Sequence, residues 1–215
     1  MIRRLLSLLI GALFAAPLFA QSTDVSPDTL VKNVAEDTMA IVRSDQNIRT
    51  TNHKIIVDLV EAKVLPHFDF DRMTRLAMGN NWGHANFQQQ QVLIGEFRTL
   101  LIDTYASAFM RYKNQTIAIK PLRLQPSDTD VVVRTQVNQQ NGQPPVAVDY
   151  RMEKLANGWK VYDFNIEGVD WVLNYRNTFN NDIQNSGVDG LIKALQDKNK
   201  SLAQAQGSGK TNFIL

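Results

Sequence analysis

The spacing of apolar residues changes once along this chain, near residue 115, and that change limits the fold more than any motif does. Upstream, the spacing is helical. "SPDTLVKNVAEDTMAIVRS" offers Ser26 as N-cap and Pro27 at the first helical position, followed by Val31, Val34, Ala35 and Val42. "NHKIIVDLVEAKVLP" repeats the pattern with Ile55, Ile56, Leu59 and Val60, and Pro66 stops it. "FDFDRMTRLAMG" predicts a short helix capped by Asp71 and ended at Gly79. The longest segment, Asn86 to Asn114, carries a wide stripe from Leu93 through Phe97, Leu100, Leu101 and Ala108 to Tyr112. Downstream, "QTIAIKPL", "DTDVVVRTQVN", "PVAVDYRMEKL" and "WKVYDFNIE" alternate or run apolar at strand length. Turn signals at Gln125-Pro126-Ser127, Asn141-Gly142 and Asn157-Gly158 separate them, which predicts an antiparallel meander of four strands. Helical spacing returns from Val169 to about Asn185 and from Val188 to about Ala205, with Gly187 and Gly190 at the boundary. Helices, then one curved sheet, then closing helices predict an α+β fold. A long helix lying on such a sheet makes a cone, either filled by its own side chains or hollow enough for a ligand.

Residues 1–20 read as a separate object. Arg3 and Arg4 form a basic start, and Leu5 to Ala16 is an apolar run shorter than the roughly 20 residues a membrane span needs. "PLFA-QS" offers a cleavage site near Ala20, so a signal peptide is expected. Losing both arginines takes the net charge from +2 to neutral. A neutral chain lacks the basic field of a general nucleic-acid binder. With no cysteine, the exported protein must rely on its core rather than on disulfides, which suits a bacterial periplasm. Residues 21–205 are expected to form one domain: a helical part over 26–114, a sheet over 115–167 and closing helices over 169–205. A loose tail follows at 206–215.

Reactive chemistry is sparse. The histidines His53, His67 and His84 stand in no nucleophile motif, and there is no phosphate-cradling glycine loop or dinucleotide fingerprint. His67, Asp69 and Asp71 alternate but form a weak metal signal, so no metal, cofactor or catalytic residue is assigned. Among the acids, Asp149, Asp163 and Glu167 are the candidates for a proton-transfer base. Apolar neighbours at alternate positions place Asp149 and Asp163 on the wet face. The aromatic set of the strand-to-helix corner, Trp159, Tyr162, Phe164, Trp171, Tyr175 and Phe179, reads on pattern alone more as core than as the wall of a dry pocket.

Four blocks in this order, "LPHFDFDRMTRLAMGNNW" (65–82), "EFRTLLIDTYASAFMRY" (96–112), "PVAVDYRM" (145–152) and "GWKVYDFNIEGVDWVLNYRNTF" (158–179), closely resemble the toluene-tolerance (MlaC) family. The resemblance runs from about residue 28 to 200. It implies a nuclear-transport-factor-2-like cone: a curved four-stranded antiparallel sheet and a long helix, with additional N- and C-terminal helices. It also implies a periplasmic, monomeric, non-enzymatic phospholipid carrier. Its partners would be an outer-membrane lipoprotein–porin complex and an inner-membrane ABC transporter with an MCE domain.

Facing then nominates the wall of a lipid cavity. From the strands come Val131, Val133, Val146, Val148, Tyr150, Tyr162, Phe164 and Ile166. From the helices come Phe70, Met73, Leu76, Phe97, Leu101, Tyr105, Phe109, Val169, Trp171, Leu173 and Tyr175. Arg75, Arg98, Arg111, Lys113 and Arg151 are the candidates to meet a head group or a partner's acidic rim. Two other readings stay open on the residues alone: an enzyme on the same scaffold using a buried carboxylate, and a docking protein with a filled core.

Overall fold

The computed structural model describes residues 25–44, 53–110, 115–139 and 142–207. The expected signal peptide, Asn141 of one turn signal and most of the expected tail lie outside them. Within them the chain runs α1 (Pro27–Ser44), α2 (His53–Lys63), a 3₁₀ turn (Leu65–His67), α3 (Phe70–Met78), a second 3₁₀ turn (Gly79–His84) and α4 (Phe87–Met110). The strands follow as β1 (Thr116–Ile119), β2 (Asp130–Asn138), β3 (Val146–Leu155), β4 (Gly158–Ile166) and β5 (Val169–Asp170), and α5 (Trp171–Gly207) closes the chain. The strands pair in sequence order as one antiparallel sheet, so the α+β expectation holds. No described helix is long and apolar enough to cross a membrane.

A fifth, two-residue strand joins the four read from the sequence. Glu167 and Gly168 both take positive φ, at 51° and 87°, which turns the chain tightly enough for Val169 to pair back onto Ile166. Asn165 Oδ1 accepts the Gly168 amide at 2.9 Å and fixes that turn. The final helix therefore starts at Trp171 rather than Val169. It is broken into two helical stretches at Gly187, the boundary read from the sequence. Gly187 adopts φ 71°, ψ −176°, a region that other residues avoid. Gly187→Ala should cost about 1–3 kcal/mol, read as a lower denaturation midpoint at unchanged slope.

The cap of α3 also differs from expectation. Asp69, one residue before the helix, accepts the Arg72 amide at 2.9 Å, while Asp71 lies inside the first turn and pairs with Arg75. Gly79 ends the helix at φ 55° as read.

The faces of β4 are set by a bulge. Met152 pairs with Val161 and Arg151 with Asp163, which leaves Tyr162 as an extra residue. Sequence alternation would put Val161 with Asp163 and Tyr162 with Phe164. The bulge instead puts Val161, Phe164 and Ile166 on the face of Met152, Tyr150 and Val148. That face also carries Val131, Val133 and Val146, as the alternation predicts. Tyr162 leaves its expected partners and enters the helical core with Met73, Ala77, Phe97 and Phe179.

Two cores result. Leu93, Phe97, Leu100 and Leu101 of α4 pack with Val172, Phe179, Leu191 and Leu195 of α5. Val133, Met152, Trp159 and Val161 pack beneath Val31 of α1. Polar ties align α5 along its neighbours: Asn199 donates to the Glu96 carbonyl at 2.9 Å, and Arg176 donates to the Leu76 carbonyl through Nε (3.0 Å) and a terminal nitrogen (2.9 Å).

Candidate functional site

Three adjoining clefts open along the apolar face of the sheet. The central one, of about 280 Å³, is walled by Val60, Val64 and Leu65 from α2 and its exit. Leu101, Ile102 and Tyr105 of α4 and Val148, Tyr150, Phe164 and Ile166 of the sheet complete it with Phe68, Phe70 and Met73. A smaller cleft of about 150 Å³ runs under Leu30, Val31, Val34, Ala35 and Thr38 of α1 and shares Val64, Phe68 and Tyr150 with the central one. A third, of about 420 Å³, lies at the strand-to-helix corner and shares Tyr105 and Ile166; Val169, Trp171, Asn174, Tyr175 and Thr178 complete it.

The wall is placed by local chemistry. Asp69's cap starts α3 at Phe70, and the Asp69 amide donates to the Val161 carbonyl at 2.8 Å. Phe68 is thereby docked in parallel against Val161, its ring 6.0 Å from that of Phe70. At the corner, the Tyr105 ring meets Trp171 edge-on at 4.4 Å, and Trp171 stacks on Phe164 at 6.0 Å. The Tyr105 and Tyr175 hydroxyls approach to 3.5 Å, and burial pushes both phenols upward in pKa, so both stay neutral. His67, at the α1 end, is pushed down, first by burial and then by Lys160, which favours the uncharged ring.

Eight nominated residues meet in the central cleft: Phe70, Met73, Leu101, Tyr105, Val148, Tyr150, Phe164 and Ile166. Val169, Trp171 and Tyr175 line the corner cleft. The others stand elsewhere. Phe97 and Tyr162 are core, and Leu76 packs against that core. Val133 is fully buried beneath α1 beside Val131. Val146 and Leu173 are half-buried and line none of the three clefts. The Phe109 side chain, Arg111 and Lys113 lie outside the described residues. The sequence reading missed Phe68, Ile102 and the apolar faces of α1 and α2. Val31, Val34, Ala35 and Val60 were already visible as helical stripes, but a stripe does not say whether it meets core or cleft.

The nominated cations have partners. Arg151 lies 3.4 Å from Asp163 and 3.3 Å from Asp170, partly exposed, so two acids already meet its charge. Arg98 bridges to Glu61 at 2.9 Å and stands 5.8 Å over the ring of Phe70, which puts it at the cleft rim. Arg75 pairs with Asp71 and faces Trp82 at 5.3 Å. Arg72, not nominated, ties α3 to the sheet. It contacts Asp130 at 2.7 Å and Glu153 at 2.8 Å, and lies 3.4 Å over the Tyr162 ring. The Tyr162 hydroxyl donates to Asp130 at 2.7 Å, and burial with that acid beside it pushes the phenol up to about 12.

Asp163 overturns the expectation of a wet-face acid, for it is 0% exposed. It lines none of the three clefts. Its Oδ1 accepts the amides of Phe164 (2.8 Å) and Val172 (3.2 Å), so it holds the first turn of α5. Asp149 stays half-exposed beside Arg134 at 3.7 Å. Asp163→Ala should cost about 1–3 kcal/mol, because two amides lose their acceptor. Burial raises the Asp163 pKa, so the native state favours the protonated acid. Its contribution to stability is full below the ordinary value near 3.9 and is lost as pH rises through the native pKa. Asp163→Asn should flatten that part of the stability–pH curve in denaturant titrations.

Aliphatic and aromatic walls, with the buried acid turned away from them, define a binding protein for apolar molecules. A profile of the MlaC protein family matches residues 32–197, and the chain belongs to that family. Its relatives include the intermembrane phospholipid transport system binding protein MlaC of Haemophilus influenzae, 22% identical over 175 residues, covering 80% of this chain and 82% of that protein. Another is the toluene tolerance protein ttg2D of Pseudomonas putida, 23% identical over 182 residues, covering 84% and 83% respectively. A solved structure of a phospholipid-binding protein from Ralstonia solanacearum, in complex with a phospholipid, superposes with a TM-score of 0.75. It is 44% identical and covers 82% of this chain and 98% of its own.

Proposed function

We propose that this protein is a periplasmic phospholipid carrier, exported by a signal peptide cleaved near Ala20. It encloses acyl chains in the three adjoining clefts and moves the lipid between an outer-membrane lipoprotein–porin complex and an inner-membrane ABC transporter with an MCE domain. The observation that carries the reading is the continuous apolar wall from Val31 under α1 to Ile166 at the corner, in a chain 44% identical to a phospholipid-bound relative. Each methylene moved from water into such a wall gains about 0.8 kcal/mol. Two tails with on the order of 30 methylenes would cost roughly 20 kcal/mol if left in water, so a soluble carrier has to enclose them. The membrane offers nearly the same gain. Transfer is then close to neutral, and docking decides delivery. Arg98, over the Phe70 ring of the cleft wall, is the cation we assign to the head group, and Arg75, beside Trp82, the one we assign to a partner. Native mass spectrometry of the protein purified from the periplasm, with collision release, tests the reading. A lipid ion lost from a complex of matching added mass is the expected result; a bare chain after gentle purification, together with no uptake from vesicles, would overturn it.

A further inference from the structure

α1 roofs the smallest cleft and is held differently from every other helix. Its side-chain hydrogen bonds are local: Ser26 to Thr29, Arg43 to the Met39 carbonyl and Ser44 to the Ile41 carbonyl. Among the described residues, no hydrogen bond or ion pair joins α1 to another element. By contrast, Arg98 bridges α4 to Glu61 of α2, Arg72 ties α3 to the sheet, and Arg176 and Asn199 tie α5 to its neighbours. α1 is gripped near its two ends by packing alone. Val31 joins Val133, Met152, Trp159 and Val161 of the sheet, and Val42 joins Ile56 and Val60 of α2 and Ile102 of α4. Between these grips, Val34, Ala35 and Thr38 lie over the cleft of about 150 Å³. Thr38 is 2% exposed, and its Oγ1 is buried without a hydrogen-bond partner. Shutting α1 thus takes water from that hydroxyl and returns no bond. The unfilled space beneath gives its lining no partner atoms either, and a tail in the cleft would supply them.

We propose that α1 is the lid of the lipid site, lifted from the sheet in part of the lipid-free population and shut over a bound acyl chain. The proposal rests on the carrier reading and deepens it to the route of the cargo. A tail laid in sideways crosses one seam, between α1 and the sheet, where no polar contact has to break. Threading it lengthwise would take it past Phe68 and Tyr150, which wall both this cleft and the central one. A loaded tail touches Val34 and Ala35 only when α1 is down. Contact made in one state and not in the other shifts the population to the shut form.

The chain has no cysteine, so introduced thiols carry spin labels at chosen points only. Glu36→Cys on α1 with Lys198→Cys on α5 is the reporting pair. Gln91→Cys with Lys198→Cys, within the α4–α5 frame, is the control; all three side chains are exposed. Pulsed electron spin resonance reads the distances in lipid-stripped protein and again after loading from phosphatidylglycerol vesicles, with loading counted by native mass spectrometry. The reporting pair is expected to show two distances without lipid and one with it, while the control keeps a single distance throughout. Thr38→Val, which replaces the unpartnered hydroxyl by a methyl, is expected to raise the shut-to-open ratio of the lipid-free protein about three- to tenfold. One unchanged distance in protein that does take up lipid overturns the lid alone. An unshifted ratio in Thr38→Val overturns the part given to the hydroxyl. Failure to load any lipid overturns the carrier reading and the lid with it.

Discussion

Val148→Glu is expected to reduce phospholipid occupancy at least tenfold while leaving a folded protein. Val148 lies on β3 between Thr135 and Ile166, half-buried, with its side chain in the central cleft. On the proposed carrier function, a carboxylate there faces the acyl chains. To admit a tail it must be desolvated or protonated, a cost of several kcal/mol, and each 1.4 kcal/mol is tenfold in affinity. In the empty protein the same carboxylate can meet water through the cleft, so the fold loses little. Leu101→Glu is the contrast. Leu101 lines the same cleft but also belongs to the α4–α5 core, so folding and lipid uptake should fall together. Occupancy from native mass spectra, set beside denaturation midpoints, separates the two outcomes. Equal losses of both in Val148→Glu would make Val148 ordinary core.

The largest loss of stability is expected from Phe97→Ala, about 3–5 kcal/mol. Phe97 is fully buried at the centre of the helical core. Its ring meets Tyr175 edge-on at 5.0 Å and Phe179 edge-on at 5.1 Å, so truncation removes two aromatic contacts and leaves a void. α4 and α5 are held rigidly along this seam, and the void has little scope to collapse. A fall in Tm of roughly 10 °C or more by calorimetry is the expected reading. Tyr175 also lines the corner cleft, so lipid uptake should weaken in the surviving folded fraction; unaltered uptake there would separate this core from the site.

The elements were legible in the sequence wherever one local rule set them. Alternation placed Val131, Val133, Val146, Val148 and Tyr150 on one face, and Gly79 marked the end of α3. Other features depended on partners distant in the chain. The cap of α3 fell to Asp69 rather than Asp71 because the preceding residue, Phe68, is docked against Val161. Asp163 keeps the face that alternation predicts, opposite Phe164; it looked like a wet-face acid because alternation carries no mark of the first turn of α5, which covers that face. Whether Phe97 was wall or core depended on how α5 lies across α4. Tyr105, Trp171 and Tyr175 were legible as an aromatic corner; the Thr38 hydroxyl left without a partner was not, since unmet hydrogen bonding appears only when all neighbours are in place.

The bulge at Tyr162 also bears on how this strand can change length. Removing any other single residue from the middle of β4 would turn over everything on one side of the cut, exchanging cleft wall for helical core. At Tyr162 a deletion would leave Val161 opposite Met152, Asp163 opposite Arg151 and Phe164 opposite Tyr150, a regular ladder with its pairing intact. The loss would be the Tyr162 ring, from beneath Arg72 and from the helical core, and its bond to Asp130. Position 162 is thus a seam, the one place in the strand where the chain can lose a residue and keep its register.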